Sequence, residues 1–291
     1  MKKGIFMTNF NNEAYHALVS DLVNDAFYLD GASRRRTIAT IRQYAEVVVR
    51  KILDLPPDAT VELGNGKLQY KIKEKNNPLF LNAVKTINKI GSECTHTKIL
   101  KEITEDDLSK TIDSLFDLYA SLLIEFFKKY QFGSNPKIVH SFSILPPIIR
   151  YITLNYLYNE YPDNLMVIDK LSLVLLKAFN KEAALNWIET RKSTLEKTYS
   201  VTTEAYNAMT EKYGETLANI IYASGSNMYD LCINRIELVA EEIEKNGILY
   251  SDFENAIAFY QKEGIVSGST ADVEEFNSIM EFLYLGRKSN T

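Results

Sequence analysis

Apolar residues recur at spacings of three and four along almost the whole of this chain of 291 residues. That spacing places side chains on one face of an α-helix, and it returns in one segment after another between turn residues. Glycine and proline are scarce, with 12 and 7 residues, and their scarcity disfavours a turn-rich all-β protein. The sequence therefore predicts an all-α protein.

Several predicted helices have recognisable ends. Ser33 stands before a helical pattern over residues 34–55, and Pro56-Pro57 ends that pattern because proline cannot continue a helix. Thr104–Asp107 resembles a capping box with Asp in the place of Glu, and it opens a long helical pattern that runs to about residue 130. The first part of the chain therefore contains several amphipathic helices that can pack against one another.

The clearest boundary in the chain is the Gly-Ser-Asn-Pro loop at residues 133–136. The sequence thus predicts one helical domain over residues 1–135 and a second helical domain, of unknown role, over residues 136–291. Residues 60–73 alternate between apolar and polar side chains around Gly-Asn-Gly, a pattern typical of a β-hairpin. We expect two helical bundles with this one small β-hairpin inserted in the first.

The formal net charge of −5 is unevenly spread. Residues 1–100 carry 15 Lys and Arg against 10 Asp and Glu, whereas residues 101–291 carry 18 against 28. A basic region can contact RNA or DNA phosphates, and an acidic region can bind a protein partner, although clusters of solvated charge give the same imbalance. Arg34, Arg35 and Arg36 open a helix, where positive charge opposes the helix dipole, so we predict that they bind nucleic acid. Solvated charge is the alternative.

The sequence also argues against several kinds of site. Cys94 and Cys232 are the two cysteines, and their separation indicates neither a disulfide framework nor a cysteine-based zinc site. No glycine-rich nucleotide-binding motif occurs, so no metal and no cofactor are expected. No apolar run is long enough to span a bilayer or to form a signal peptide. We therefore expect a cytoplasmic protein without membrane contact.

One segment carries side chains suited to acid–base chemistry. His96 follows the end of a predicted helix, and Lys89 stands seven residues before it. An imidazole titrates near neutral pH, and an ammonium group can stabilise the negative charge that develops during RNA cleavage. His96 and Lys89 are thus the predicted catalytic residues of a metal-independent endoribonuclease. The alternative is a histidine that binds the last carbonyls of its helix or packs on a neighbouring one.

A family resemblance rests on the order of a few residues in the first half. Arg42 and Glu46 lie four residues apart on a predicted helix, a spacing that is also that of an ordinary ion pair on a helix surface. A later helix ends in a segment that contains Gly91, Glu93 and His96. Together with the long helix that follows, this order resembles the HEPN-like helical domains of bacteria and archaea. The branch it resembles contains uncharacterised and abortive-infection-type proteins, and the resemblance covers about residues 10–132.

The resemblance implies an up-and-down bundle of four to five helices that is often dimeric through the helices bearing the motif. Many members are RNases of phage-defence, toxin–antitoxin or CRISPR-linked systems, and their site pairs an arginine with a histidine four to six residues later. His96 matches that histidine, but Asn88, Lys89 and Ile90 occupy the region of the arginine, and Ser92 replaces the usual asparagine. The resemblance therefore implies a nucleic-acid-associated or partner-binding protein of phage defence that forms a homodimer. The two departures imply that its nuclease site is degenerate.

The sequence is compatible with three other functions. The chain could be an active metal-independent RNase that uses His96. It could be a helical scaffold whose acidic second half binds a protein partner. It could also be a DNA-binding regulator with a helix-turn-helix within residues 225–287, and such a regulator would bind DNA in a salt-dependent way.

Overall fold

The computed structural model describes residues 13–96, 100–199, 201–224 and 226–290, and these residues form an all-helical protein. The first helices are α1 (Glu13–Phe27), α2 (Arg34–Ile52), α3 (Gly66–Glu74), α4 (Pro78–Thr95), α5 (Glu105–Lys129), α6 (Pro136–Phe142), α7 (Pro147–Glu160) and α8 (Leu165–Ala178). They are followed by α9 (Lys181–Glu189), α10 (Lys192–Leu195), α11 (Thr203–Tyr213), α12 (Glu215–Ser224), α13 (Met228–Asn246), α14 (Phe253–Phe259), a π-helical turn (Tyr260–Gly264) and α15 (Ala271–Tyr284). The predicted all-α class is confirmed.

The chain divides into two compact units whose limits differ from those of the predicted domains. Unit 1 comprises Met1–Gln131, Pro136–Leu145 and Phe253–Thr291, and unit 2 comprises Phe132–Asn135 and Pro146–Asp252. The C-terminal segment therefore belongs with the N-terminal helices, so a single cut between residues 135 and 136 does not separate the units. Periodicity shows that a segment is a helix with an apolar face, but it does not show which distant helix that face packs on.

Four long helices form the core of unit 1. Helix α2 packs against α1, α4 and α5, and α4 packs against α5. The predicted caps are present: the Ser33 hydroxyl accepts a hydrogen bond from the amide of Arg36 at the start of α2. At the start of α5, Thr104 and Asp107 each accept a hydrogen bond from the backbone of the other, which completes the capping box. These local signals fix where the two central helices of the bundle begin.

The predicted β-hairpin over residues 60–73 is wrong, because residues from Gly66 onward form α3. The Asn65 side chain accepts hydrogen bonds from the amides of Lys67 and Leu68, so Asn65 is an N-cap and not a turn residue. Leu68 and Ile72, four residues apart, are the buried residues of this helix. That spacing satisfies both a strand and a helix pattern. In the structure it forms the face of α3 that is buried, and α3 packs against α4.

Substitutions at Asn65 test this assignment. Asn65→Ala is expected to lower the free energy of unfolding by about 1 kcal/mol, because two amides of the first turn lose their acceptor. Asn65→Ser is expected to be nearly neutral, since serine is an equally good N-cap but a poor residue in the tight turn of a hairpin. Urea denaturation measures both variants. A large loss in Asn65→Ser together with no loss in Asn65→Ala would contradict the helix.

Helix α8 is the central helix of unit 2. It packs against α7, α9 and α13, and nine of its 14 residues are buried. The buried carboxylate of Asp169 lies 3.4 Å from the ammonium group of Lys170 and also accepts a hydrogen bond from Arg235 on α13. A buried charge requires such partners, so this contact helps to fix the position of α13 on α8.

The segment after α15 returns into the core of unit 1 and places a cation there. Arg287 is 8% exposed, and its Nη2 atom donates a hydrogen bond to the Tyr119 hydroxyl at 2.9 Å. Its guanidinium carbon lies 4.6 Å from the ring centroid of Phe27 and 4.1 Å from that of Phe253. Aromatic faces stabilise the charge by cation–π interaction. Arg287 therefore joins helices α1, α5 and α14.

Candidate functional site

Three residues of the predicted motif meet between α2 and α4. Arg42 Nη1 lies 3.3 Å from Glu46 Oε1, one turn further along α2. The stem of the Arg42 side chain crosses α4 at Gly91, where a Cβ atom would come within 2.5 Å of Arg42 Cδ. Real Cβ atoms do not approach a carbon so closely, so only glycine allows this crossing. The spacing of Arg42, Glu46 and Gly91 therefore has a packing reason.

The ion pair between Arg42 and Glu46 is half-buried, with side-chain exposures of 23% and 27%. Burial raises the pKa of Glu46, and the nearby positive charges of Arg42 and Arg50 oppose that rise. Arg42 Nε is buried without a hydrogen-bond partner in the part of the chain that the structure describes. The Arg42 side chain is thus held in place by the packing of its aliphatic stem and by its ion pair with Glu46.

Glu93, the other motif residue, has a separate contact at the end of α4. Its Oε2 atom accepts a hydrogen bond from Lys101 Nζ at 3.1 Å, and the same ammonium group lies 3.2 Å from Asp107 Oδ1. Hydrogen bonds from Thr104, together with Lys101, lower the pKa of Asp107. Lys101 thus links the end of α4 to the capping box of α5.

Arg35 explains why arginine stands at the start of a helix. Its Nη1 atom donates to the carbonyl of Glu93 at 2.7 Å, and its Nη2 atom donates to the carbonyl of Lys101 at 3.1 Å. The charge opposes the dipole of its own helix but complements the negative C-terminal end of α4, which carries carbonyls without intrahelical partners. Arg35 is therefore a cap for the neighbouring helix, and its guanidinium is engaged within the protein.

The two flanking arginines form exposed ion pairs. Arg34 Nε lies 3.6 Å from Glu105 Oε2, and Arg36 Nη2 lies 3.5 Å from Asp25 Oδ2. These pairs connect α2 with α5 and with α1. The structure therefore gives each of the three predicted nucleic-acid contacts a partner within unit 1, and it does not align them in one stripe.

Lys89 and His96 lie on the exposed side of α4. His96 is the C-cap residue, and its amide donates to the carbonyl of Ser92 at 3.1 Å. Seven residues separate the two side chains, so they leave the same face of the helix about 10 Å apart along its axis. Neither side chain has a hydrogen-bond or ion-pair partner among the described residues. His96 is thus accessible, and nothing described ties it to Lys89.

A basic surface that the sequence reading missed lies on α3 and α4. Tyr70 on α3 is 64% exposed, and the lysines of both helices that point to solvent are Lys67, Lys71, Lys73, Lys85 and Lys89. We call these six residues the α3–α4 basic surface. Lys67 stands three residues before Tyr70 and four before Lys71, spacings that make side chains neighbours on a helix surface. The strand pattern predicted for this segment would instead place Tyr70 on the face opposite to both lysines. Two helices that pack together thus each present ammonium groups to solvent.

Among the described residues, no group of three or more His, Cys, Asp or Glu is placed to hold a metal ion. None of the helices in the described ranges is long and apolar enough to cross a membrane. Comparison with protein-family models, with curated proteins and with solved structures found no match to this chain. Its function is therefore to be inferred from its own residues.

Proposed function

We propose that this chain is a HEPN-like nucleic-acid-associated protein of a bacterial phage-defence system, and that the α3–α4 basic surface is its contact with nucleic acid. The observation that supports the proposal is the exposed Tyr70 ring on α3, the helix that also carries the exposed Lys67 and Lys71. Ammonium groups neutralise phosphates, and an exposed aromatic ring provides a face on which a base can stack. Stacking needs an unpaired base, so the preferred ligand is single-stranded RNA.

The same contact surface favours binding without cleavage. Lys85 and Lys89 extend the positive charge along α4 towards His96, but the region of the nuclease arginine holds no arginine. An imidazole that lacks a second group to stabilise the developing charge is a weak catalyst. We therefore propose a degenerate nuclease site. A homodimer that pairs two α4 helices would bring two copies of this surface together.

Fluorescence anisotropy with a labelled single-stranded RNA tests the proposal. The double variant Lys67→Ala/Lys71→Ala is expected to weaken binding about tenfold or more and to reduce the slope of log affinity against log salt by about 1.4, since each phosphate contact contributes about 0.7 for single strands. Tyr70→Ala is expected to weaken binding by about 1–3 kcal/mol without changing that slope, because it removes stacking and no charge. A duplex DNA of equal length is expected to bind more weakly.

The matched control is the double variant Lys110→Ala/Lys262→Ala, which removes two exposed lysines outside α3 and α4. It is expected to bind as the wild type does. Equal binding by all variants, or binding that does not depend on salt, would contradict the proposal. If the duplex bound more tightly than single strands, a DNA-binding function would replace it.

An active RNase is the second candidate, and the exposed imidazole of His96 is the observation that favours it. The same RNA incubated with the wild type and with His96→Ala in the presence of EDTA separates the two candidates. The degenerate site predicts no cleavage above background by either protein. Cleavage by the wild type that is lost in His96→Ala would establish the enzyme and overturn the degenerate site.

A further inference from the structure

A groove of about 1070 Å³ lies between α9 and α13 on the surface of unit 2. We call it the α9–α13 groove, and its apolar lining consists of Ala183 and Leu185 on α9 and Ile233 on α13. Each of these side chains is partly exposed, so apolar surface stays open to solvent between the two helices. Pockets for small molecules have volumes of about 300–1,000 Å³. The size of the groove therefore suits a segment of polypeptide.

Carboxylates border the apolar lining on both helices. Glu182 and Glu189 line the groove on α9, and Glu237 lines it on α13. Glu241 and Glu244 follow Glu237 by four and seven residues, so they continue the same face of α13. Apart from the half-buried Glu237, these glutamates are exposed. The groove therefore combines an apolar lining with an acidic border on each side.

Two lysines of unit 2 contact this acidic border. Lys181 donates a hydrogen bond to Glu237, and Lys192 Nζ lies 3.9 Å from Glu189 Oε1. The hydrogen bond to Glu237 raises the pKa of Lys181, and the charges of the two glutamates that follow on α13 raise it further. Five carboxylates against these two ammonium groups leave the groove negative, so it attracts further cations.

Three of the carboxylates are available to an outside cation. Glu182, Glu241 and Glu244 have no ion-pair partner among the described residues. Exposed ion pairs each contribute little to affinity, so burial of the apolar lining must supply much of it. The charges then select which segment binds and in which orientation. The occupant must therefore carry both an apolar stripe and positive charge.

We propose that the α9–α13 groove binds a basic amphipathic helix of a partner protein. Apolar residues at positions i, i+3, i+4 and i+7 of that helix pack on Leu185 and Ile233, and its Lys and Arg side chains pair with the glutamates on both sides. The same negative charge repels nucleic-acid phosphates. The groove lies wholly within unit 2 and shares no residue with the α3–α4 basic surface, so this binding is separate from that of RNA.

The first experiment measures fluorescence anisotropy of labelled synthetic peptides of about 18 residues, or five turns of helix, with the full-length wild type. One peptide carries leucines along one helical face and lysines elsewhere. A second has the same composition with the leucines scattered around the helix, and a third has Glu in place of every Lys. The first is expected to bind about tenfold or more tightly than either of the others. No binding of the first peptide, or equal binding of the first two, would overturn the proposal.

Variants of the groove test which side chains bind the first peptide. Glu182→Lys/Glu241→Lys is expected to weaken binding about tenfold or more, because like charges then face each other. Leu185→Gln keeps the charge and is expected to weaken binding about tenfold, because it removes apolar contact. The matched control Glu160→Lys/Glu196→Lys makes the same change of net charge at exposed glutamates of unit 2 that do not line the groove, and it is expected to bind as the wild type does. Circular dichroism confirms that each variant is folded. Equal losses in the groove and control variants would overturn the proposal.

Hydrogen–deuterium exchange of the full-length wild type locates the binding without any variant. The first peptide is expected to slow exchange in α9 and α13, and slowing confined to other helices would contradict the groove. Light scattering tests a different occupant: a wild-type dimer that Leu185→Gln converts to a monomer would show that a second copy of the chain fills the groove, and it would overturn the partner helix. The glutamate variants are expected to bind RNA as the wild type does, so failure of this proposal is distinguishable from failure of RNA binding.

Discussion

Arg287→Ala is expected to lower the free energy of unfolding of unit 1 by about 3 kcal/mol or more. The substitution leaves a cavity between the rings of Phe27 and Phe253, where the guanidinium carbon now lies 4.6 and 4.1 Å from the centroids. It also removes the donor that binds the Tyr119 hydroxyl, so a buried polar group loses its partner. The single substitution has both costs, because the Arg287 side chain makes both contacts.

Urea denaturation of the full chain measures the loss. Arg191→Ala is the matched control, because the Arg191 guanidinium lies 4.6 Å from the ring centroid of Trp187 and 5.4 Å from that of Tyr158 in a partly exposed position of unit 2. The control is expected to cost about 0.5–1 kcal/mol, the value of a cation–π contact that is largely solvated. If the two variants lose equally little, the buried arginine does not hold the C-terminal segment in place.

Arg287→Lys separates charge from shape at the same position. Lysine keeps the positive charge but lacks the planar group that stacks on two rings, so we expect an intermediate loss of stability. A variant as stable as the wild type would show that charge alone accounts for the interaction. A loss as large as that of Arg287→Ala would show that the stacked plane carries nearly all of the stabilisation.

Helix boundaries could be predicted because their causes are local. Ser33 and Thr104 cap the helices that follow them within three residues, and the sequence shows donor and acceptor together. The segment 60–73 could not be predicted in the same way. Leu68 and Ile72 fit a strand and a helix equally well, and Asn65 fits a hairpin turn as well as an N-cap, so the local pattern alone does not choose between them.

Apolar periodicity does not predict contacts between residues that are far apart in the sequence. Lys51 donates a hydrogen bond to Ser278, which lies 227 residues away, and neither stands in a motif. The sequence shows Lys51 at the end of an amphipathic helix, where lysine is usually solvated. Its burial depends on α15 returning to α2, and that return follows from the packing of unit 1 as a whole. A buried contact of this kind can be found only from the structure.

The arginines at residues 34–36 have partners within the protein. Positive charge at a helix start does need a favourable partner, as the helix dipole requires. The partner of Arg35 is the C-terminal end of α4, 58 residues further along the chain. A ligand phosphate and a neighbouring helix end supply the same negative potential, so the sequence could not distinguish them. The prediction that these arginines bind nucleic acid stays untested, and their internal contacts favour a structural role.

The second large effect is expected at Gly91. Gly91→Ala gains about 1 kcal/mol of helix propensity, yet the new Cβ atom would lie 2.5, 2.7 and 2.9 Å from Cδ, Cβ and Cγ of Arg42. Relief requires α2 and α4 to separate, because Arg42 Cβ is fixed to its backbone. Overpacking of this kind costs about 1–3 kcal/mol. We therefore expect a net loss of stability, measured by urea denaturation, where propensity alone predicts a gain.

Gly66→Ala is the matched control, since a Cβ atom there meets nothing within 4 Å and no loss is expected. A double-mutant cycle with Arg42→Ala then tests the cause. Alanine at residue 42 removes the contacts at 2.5 and 2.9 Å but keeps the one at 2.7 Å, so the double variant is expected to be more stable than the two single losses predict. Additive losses would contradict a direct crossing. A combined loss smaller than the sum of the two single losses would show that Arg42 and Gly91 are in direct contact. The packing of α2 on α4 would then explain the spacing of Arg42, Glu46 and Gly91 without a catalytic role.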